Sequence, residues 1–201
     1  MVSFPAYVSF REAARFTEEH ADWIIRQQRK LETSLPKFSE NSDIQTRYHY
    51  ITFRKHPGKF SVKQTKDHIE LLYPESSQIN DPEINLRIRM VLTGIYRWEA
   101  QQYLPPRLTE IARRHGFTFG KITVRDNKTN WGSCSGQNHI SLNLHLMKLP
   151  DHLIDFILLH ELVHTRVKNH GPKFWELLNA LTGNQAKQLT AEVKKHSPFQ
   201  F

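Results

Sequence analysis

The sequence has one cysteine, Cys134, so no disulfide can form within its 201 residues. A single unpaired thiol fits a reducing compartment. No stretch of 18 apolar residues occurs, which excludes a membrane-spanning helix. The first ten residues contain no Lys or Arg and are interrupted by Pro5, a pattern unlike a secretory signal. Together these absences predict a cytoplasmic protein with no membrane partner. There is also no internal repeat, no low-complexity tract and no block of five like charges, which argues against a solenoid, a linker array or a charged tail.

The composition is that of a globular chain, 38% hydrophobic and 24% charged, and its length suits one core better than two. The formal net charge is +8. Such a balance attracts anions through a long-range, salt-sensitive field. The basic residues are scattered, however, so nucleic acid is a partner the charge permits without specifying.

Hydrophobic periodicity divides the chain into three parts of one expected domain, residues 1–80, 81–120 and 121–201. Arg11 to Leu31 reads as a helix closed by Pro36. Ile44 to Tyr73 alternates, with Tyr48, Tyr50 and Thr52 on one face and Ile69, Leu71 and Tyr73 on another. Three strands are expected there, two of them joined in a hairpin at His56-Pro57-Gly58. Asp81-Pro82 starts a helix marked by Ile84, Ile88, Val91, Leu92, Ile95 and Trp98. Pro105-Pro106 should break it and open a second helix, Arg107 to His115, ended by Gly116. Lys121–Arg125, Trp131–Cys134 and His139–Asn143 read as strands. A helix from Asp151 to about Lys168, apolar nearly all round, should be central and buried. Helices after Gly171-Pro172 and after Gly183 complete the pattern.

The central helix carries His160-Glu161-Leu162-Val163-His164. At 3.6 residues per turn the two histidines project from one face, one turn apart. Two imidazoles so placed can bind one Zn²⁺, with the intervening carboxylate beside a water that the metal activates. Glu161 would then be the base that takes the proton of that water as it attacks a peptide carbonyl. On an otherwise apolar helix, unsatisfied imidazoles would be costly, and a metal would satisfy them.

A catalytic zinc usually has three protein ligands and an open fourth position. His170, six residues past His164 and next to the Gly171-Pro172 corner, is the natural third; Glu176 and Glu192 are the carboxylate alternatives. The spacing of His160, His164 and His170 equals that of the metzincins. Val167 nevertheless stands where those enzymes have Gly, and no Met follows the motif, since the methionines are Met1, Met90 and Met147.

The segments Trp131-Gly132-Ser133-Cys134-Ser135, His139-Ile140-Ser141-Leu142-Asn143, Pro150 with Leu153-Ile154-Asp155, His160-Glu161-Leu162-Val163-His164 and Asn169-His170-Gly171-Pro172-Lys173-Phe174-Trp175 together resemble the YgjP-like metallopeptidases, relatives of the SprT-like and WLM zinc peptidases. The close match spans about Lys121 to Leu178. The resemblance implies an α+β fold with a minimal zincin-like core: a small mixed or antiparallel sheet packed on a buried metal-bearing helix, preceded by a strand-rich extension. It also implies one zinc per chain, His170 as third ligand and a peptide or protein substrate. Asn130 stands where the family usually has a basic residue, a role that Arg125 or Lys128 would have to fill.

Trp131 to Ser135 admits two readings. Gly132 allows close backbone approach and Trp131 packs in the core; alternatively the segment is an edge strand that an extended substrate joins by backbone pairing. Trp131, Gly132, Ser133 and Asn143 are the candidate substrate-binding residues on this basis. Cys134 is either a ligand or, more in keeping with its type, a small packed residue. Asn143, His145 and Arg125 are candidates to stabilise an oxyanion. The competing functional reading is a binding module, perhaps for nucleic acid, with a structural metal. Such sites are normally closed by four ligands and rich in cysteine, which this sequence does not supply.

Overall fold

The computed structural model describes residues 19–20, 37–39 and 43–198. Contacts divide the chain into two compact units, Met1–Lys37 and Phe38–Gln200, and the elements below all belong to the second. The helix expected over Arg11 to Leu31 lies outside the described residues.

Among the described residues, two small sheets and four helices make an α+β arrangement. The first sheet contains β1 (Ile44–Gln45), β2 (Tyr50–His56), β3 (Ser61–Gln64) and β4 (His68–Pro74), in the order β1-β2-β4-β3. Strand β2 runs parallel to β4, while β3 pairs antiparallel with β4. The expected hairpin at His56-Pro57-Gly58 is therefore not formed, because β2 and β3 are not neighbours. The hairpin is instead β3–β4. The burial pattern supplies the reason: β4 contributes Ile69, Leu71, Leu72 and Tyr73 to the core, whereas all four β3 residues are exposed. The apolar strand takes the central place and the polar one is left at the edge.

Helix α1 (Pro82–His115) runs unbroken through Pro105 and Pro106, where a break was expected. The two prolines remove the bonds to the carbonyls of Gln101 and Gln102, and both of these residues are exposed, so water can satisfy them. Leu104, Leu108 and Ile111 are buried on either side of the prolines. Arg107 is clamped to Asp155 through both carboxylate oxygens (2.7 and 2.5 Å), which holds the second half of the helix in line. Gly116 ends α1 in the left-handed region (φ 66°), as its position implied. Trp98 is 49% exposed, off the buried face formed by Ile84, Ile88, Leu92 and Ile95.

The second sheet is β5 (Ile122–Arg125), β6 (Gly132–Cys134) and β7 (Ile140–Asn143), ordered β5-β7-β6. Strand β7 is central, parallel to β5 and antiparallel to β6, so β6 is an edge strand. A 3₁₀ turn over Leu144–Lys148 leads to α2 (Asp151–Val163), whose Leu153, Ile154, Leu158 and Leu162 are fully buried. Helices α3 (Pro172–Leu181) and α4 (Ala186–Val193) close the chain. Among the described residues no helix is long and apolar enough to cross a membrane.

Candidate metal centre

Helix α2 ends at Val163, several residues before the expected Lys168. The amides of Thr165 and Arg166 bond back to Leu162 and Val163, and the Thr165 hydroxyl donates to the Leu162 carbonyl (2.7 Å). These tight turns redirect the chain immediately after His164, so that His170 returns to the helix end. Gly171-Pro172 then starts α3, which places Phe174 beneath the turn.

The three histidines meet through one atom each. Nε2 of His164 lies 3.2 Å from Nε2 of His160 and 3.1 Å from that of His170, and the remaining pair is 3.0 Å apart. The Nδ1–H of His164 donates to the Val167 carbonyl (3.1 Å), which leaves its Nε2 as a bare acceptor. Phe174, fully buried, is the floor: its ring centroid stands 4.9, 4.5 and 4.7 Å from those of His160, His164 and His170. The Trp175 indole N–H donates to the His170 carbonyl (3.1 Å) and fixes the exposed third histidine from the other side.

Three acceptor nitrogens about 3 Å apart repel one another unless a proton or a cation lies among them. Atoms that all sit about 2.0–2.1 Å from a single ion are separated by just such distances. Burial first, and then the two neighbouring imidazoles, push the His160 pKa down to about 4, and burial lowers that of His164. Burial thus favours the neutral form of the His160 and His164 rings, the form that can bind a cation. Donor type, spacing and protonation all fit a divalent metal. Among the described residues these three form the group able to hold one. Glu176 and Glu192, the carboxylate alternatives, are not in it; Glu192 is paired with His152 (2.8 Å).

Glu161 is 5% exposed, and burial raises its carboxyl pKa to about 7. Its Oε2 is buried without a hydrogen-bond partner. The carboxyl lies against β6: a Cβ on Gly132 would come 2.7 Å from Oε1, 2.8 Å from Cγ and 2.9 Å from Cδ. Gly132 is thus required by the close approach of a side chain, since the space its missing Cβ leaves is filled by Glu161.

The remaining candidates divide. Ser133 is exposed on β6, and Trp131 is half-buried with its carbonyl accepting from the Asn143 amide (2.9 Å). Asn143 is completely buried. Its Nδ2 donates to the carbonyls of Asn127 and Asn130 (both 2.8 Å) and its Oδ1 accepts from the His145 amide (3.1 Å). Both protons of its side-chain amide therefore hold the 127–130 loop, and its oxygen caps the 3₁₀ turn that follows. His145 is buried beside Asp126 (3.0 Å), and Arg125 ends β5 in an exposed position. Cys134 stays outside the histidine cluster, with its thiol pushed up by burial and 3.7 Å from Nζ of Lys168. Lys168 also donates to the Ser135 carbonyl (2.8 Å) and to Asn138 Oδ1 (2.5 Å), tying the metal loop to the β6–β7 turn. Sequence reasoning missed Phe174, Lys168 and the Gly132–Glu161 contact as parts of the site. The signals available for Phe174 were its presence in the family-like Asn169–Trp175 segment and its place four residues after His170, one turn into a helix.

A search of curated proteins finds no match. Solved structures similar to this chain include the metallopeptidase zymogens jannalysin of Methanocaldococcus jannaschii (24% identity, TM-score 0.40) and abylysin of Pyrococcus abyssi (22% identity, TM-score 0.40). Each match covers 45% of this chain and 92% and 91%, respectively, of the other. The family model for the YgjP-like metallopeptidase domain matches residues 1–196, nearly the whole chain and not only the histidine cluster. The chain belongs to the YgjP-like metallopeptidase family, and His160, His164 and His170 form a cluster able to hold a metal ion.

Proposed function

We propose that the metal is zinc, one ion per chain held by His160, His164 and His170, and that Glu161 is the base for hydrolysis of a peptide bond. The observation that carries this reading is the convergence of three Nε2 atoms within 3.2 Å beside a buried carboxylate with a partnerless oxygen. Zinc in this cluster supplies a Lewis acid that polarises the peptide carbonyl and acidifies water. The work of the chain's own groups follows from their environment. Glu161, with a pKa near 7 in its dry pocket, accepts a proton from the attacking water and returns it to the leaving amine. Gly132 leaves room for its carboxyl by adding no side chain in its way.

Strand β6 offers the substrate a backbone partner. The Trp131 carbonyl and the Ser135 amide bond toward β7, so the alternate residues Gly132 and Cys134 turn their backbone groups outward. An extended peptide pairing there runs past Glu161 and bonds to the backbone of Gly132 and Cys134, with Trp131 and Ser133, the other candidates on the strand, beside them. Asn143 acts one step removed, by holding the 127–130 loop that leads into β6.

The test is metal content alongside turnover. Purified protein should contain about one zinc per chain, lost in His170→Ala and retained in Glu176→Ala. Glu161→Gln should keep the zinc and lose hydrolysis, because Glu161 is not a ligand. A parent protein that takes up no zinc when it is added back would refute the proposal.

A further inference from the structure

A second concave surface begins where the metal centre ends. A groove of about 460 Å³ lies between α3 and α4, lined by Trp175 and Asn179 of α3 and by Lys187, Thr190, Ala191 and Lys194 of α4 and its C-terminal cap. Its lining residues recur at helical spacing on both elements, so the groove follows the seam between them. Trp175 is shared with the metal centre. Its indole N–H holds the His170 carbonyl, and its ring centroid is 6.2 Å from that of the His170 imidazole. At about 3.3 Å per residue, an extended peptide crosses that distance in about two residues.

The chemistry of the lining is unbalanced. The indole, the Ala191 methyl and the Thr190 side chain make an apolar floor, while Lys187 and Lys194 put two cationic ends on the rim. Among the described residues neither lysine meets a carboxylate, and Glu192, the acid nearest them on α4, is engaged by His152. An apolar floor under two unneutralised cations complements a chain segment that has an apolar side chain and carboxylates.

We propose that this groove is a substrate subsite that selects peptides with an apolar residue flanked by acidic ones, a few residues from the bond to be cut. Acidic residues pair with Lys187 and Lys194, and the apolar side chain rests on Trp175. The inference rests on the peptidase reading, from which it takes the direction of the bound chain.

The experiment uses the full chain carrying Glu161→Gln, which does not consume its ligand. Two fluorescent peptides of equal length, one with Asp and Glu around a central Phe and one with Lys at those positions, are titrated by anisotropy. The acidic peptide should bind about tenfold more tightly or better and weaken as salt is raised. Adding Lys187→Glu and Lys194→Glu should abolish or reverse that preference. The same reversal at the distant exposed Lys63 and Lys66 of the β3–β4 hairpin should leave it intact. Equal binding of the two peptides would overturn the inference, as would a preference indifferent to Lys187 and Lys194, or one lost equally in the hairpin control, which would show net charge acting alone. Zinc content and cleavage of a mixed peptide pool by the parent protein are read separately. Their failure refutes the peptidase reading, whereas the anisotropy comparison still judges the groove.

Discussion

The contact between Gly132 and Glu161 can be tested without knowing the substrate. In Gly132→Ala the new methyl would sit 2.7–2.9 Å from Oε1, Cγ and Cδ of Glu161, where ordinary van der Waals contact begins at 3.4 Å. Gly132 has no left-handed φ, so the backbone itself tolerates alanine. The cost therefore falls on the carboxylate side chain, which is 5% exposed on a helix buried around it and has little room to retreat. Overpacking of this kind costs about 1–3 kcal/mol. If the clash is the cause, Glu161→Ala removes the atoms that are struck, and the same methyl then fills part of the space they vacate. The double variant should be no less stable than Glu161→Ala alone, a coupling of about 1–3 kcal/mol. Urea unfolding of the four metal-free proteins measures it. Strict additivity, within about 0.5 kcal/mol, would refute the close approach. Gly132→Ala should also retain its zinc, since the methyl's nearest neighbours are all atoms of Glu161 and none belongs to a histidine.

Two further outcomes follow from the same site. Burial raises the Glu161 pKa from an ordinary 4.5 to about 7, so the folded metal-free protein holds that proton more tightly than the unfolded chain. Its contribution to stability is greatest below pH 4.5 and is lost as pH rises through about 7, by about 3 kcal/mol at 1.36 kcal/mol per unit. Glu161→Gln has no proton to lose there, so its stability relative to the parent should climb between pH 4.5 and 8. A difference that stays flat across that range, measured by unfolding in chelator, would contradict the burial argument. Phe174→Ala removes the ring beneath all three imidazoles. It should cost about 3–5 kcal/mol of stability and weaken zinc retention in competition with a chelator; unchanged zinc affinity in the folded variant would show that the floor does not position the ligands.

The histidine cluster and the carboxylate beside it in sequence were legible because they are a local matter. His160, Glu161 and His164 lie within one helical turn, and helical geometry alone puts the two imidazoles on one face. His170 was reachable from the same stretch because the Gly171-Pro172 corner announces where the chain turns back. The edge position of the Trp131–Cys134 segment was likewise suggested by a short strand with a glycine in it. Long-range pairing was less visible. Sequence order suggested a β2–β3 hairpin, but the strand with the most apolar side chains, β4, took the centre and paired with both. The double proline looked like a helix break because its cost is local. The gains that override it, from buried Leu104 and Leu108 and from Arg107 on Asp155, come from a helix far along the chain.

What the sequence by itself determined was the chemistry: a spaced set of imidazoles and a carboxylate on an apolar helix, with no second cysteine to make it a different kind of site. Tertiary structure alone decided how that chemistry is held. It laid Phe174 under three rings, fitted Glu161 into the space left by Gly132 and buried Asn143 as a loop brace instead of leaving it at the surface. Spacing along one element is fixed by backbone geometry, which any sequence displays. Contacts between elements depend on which faces win the core, and that competition is settled only when the whole chain has packed.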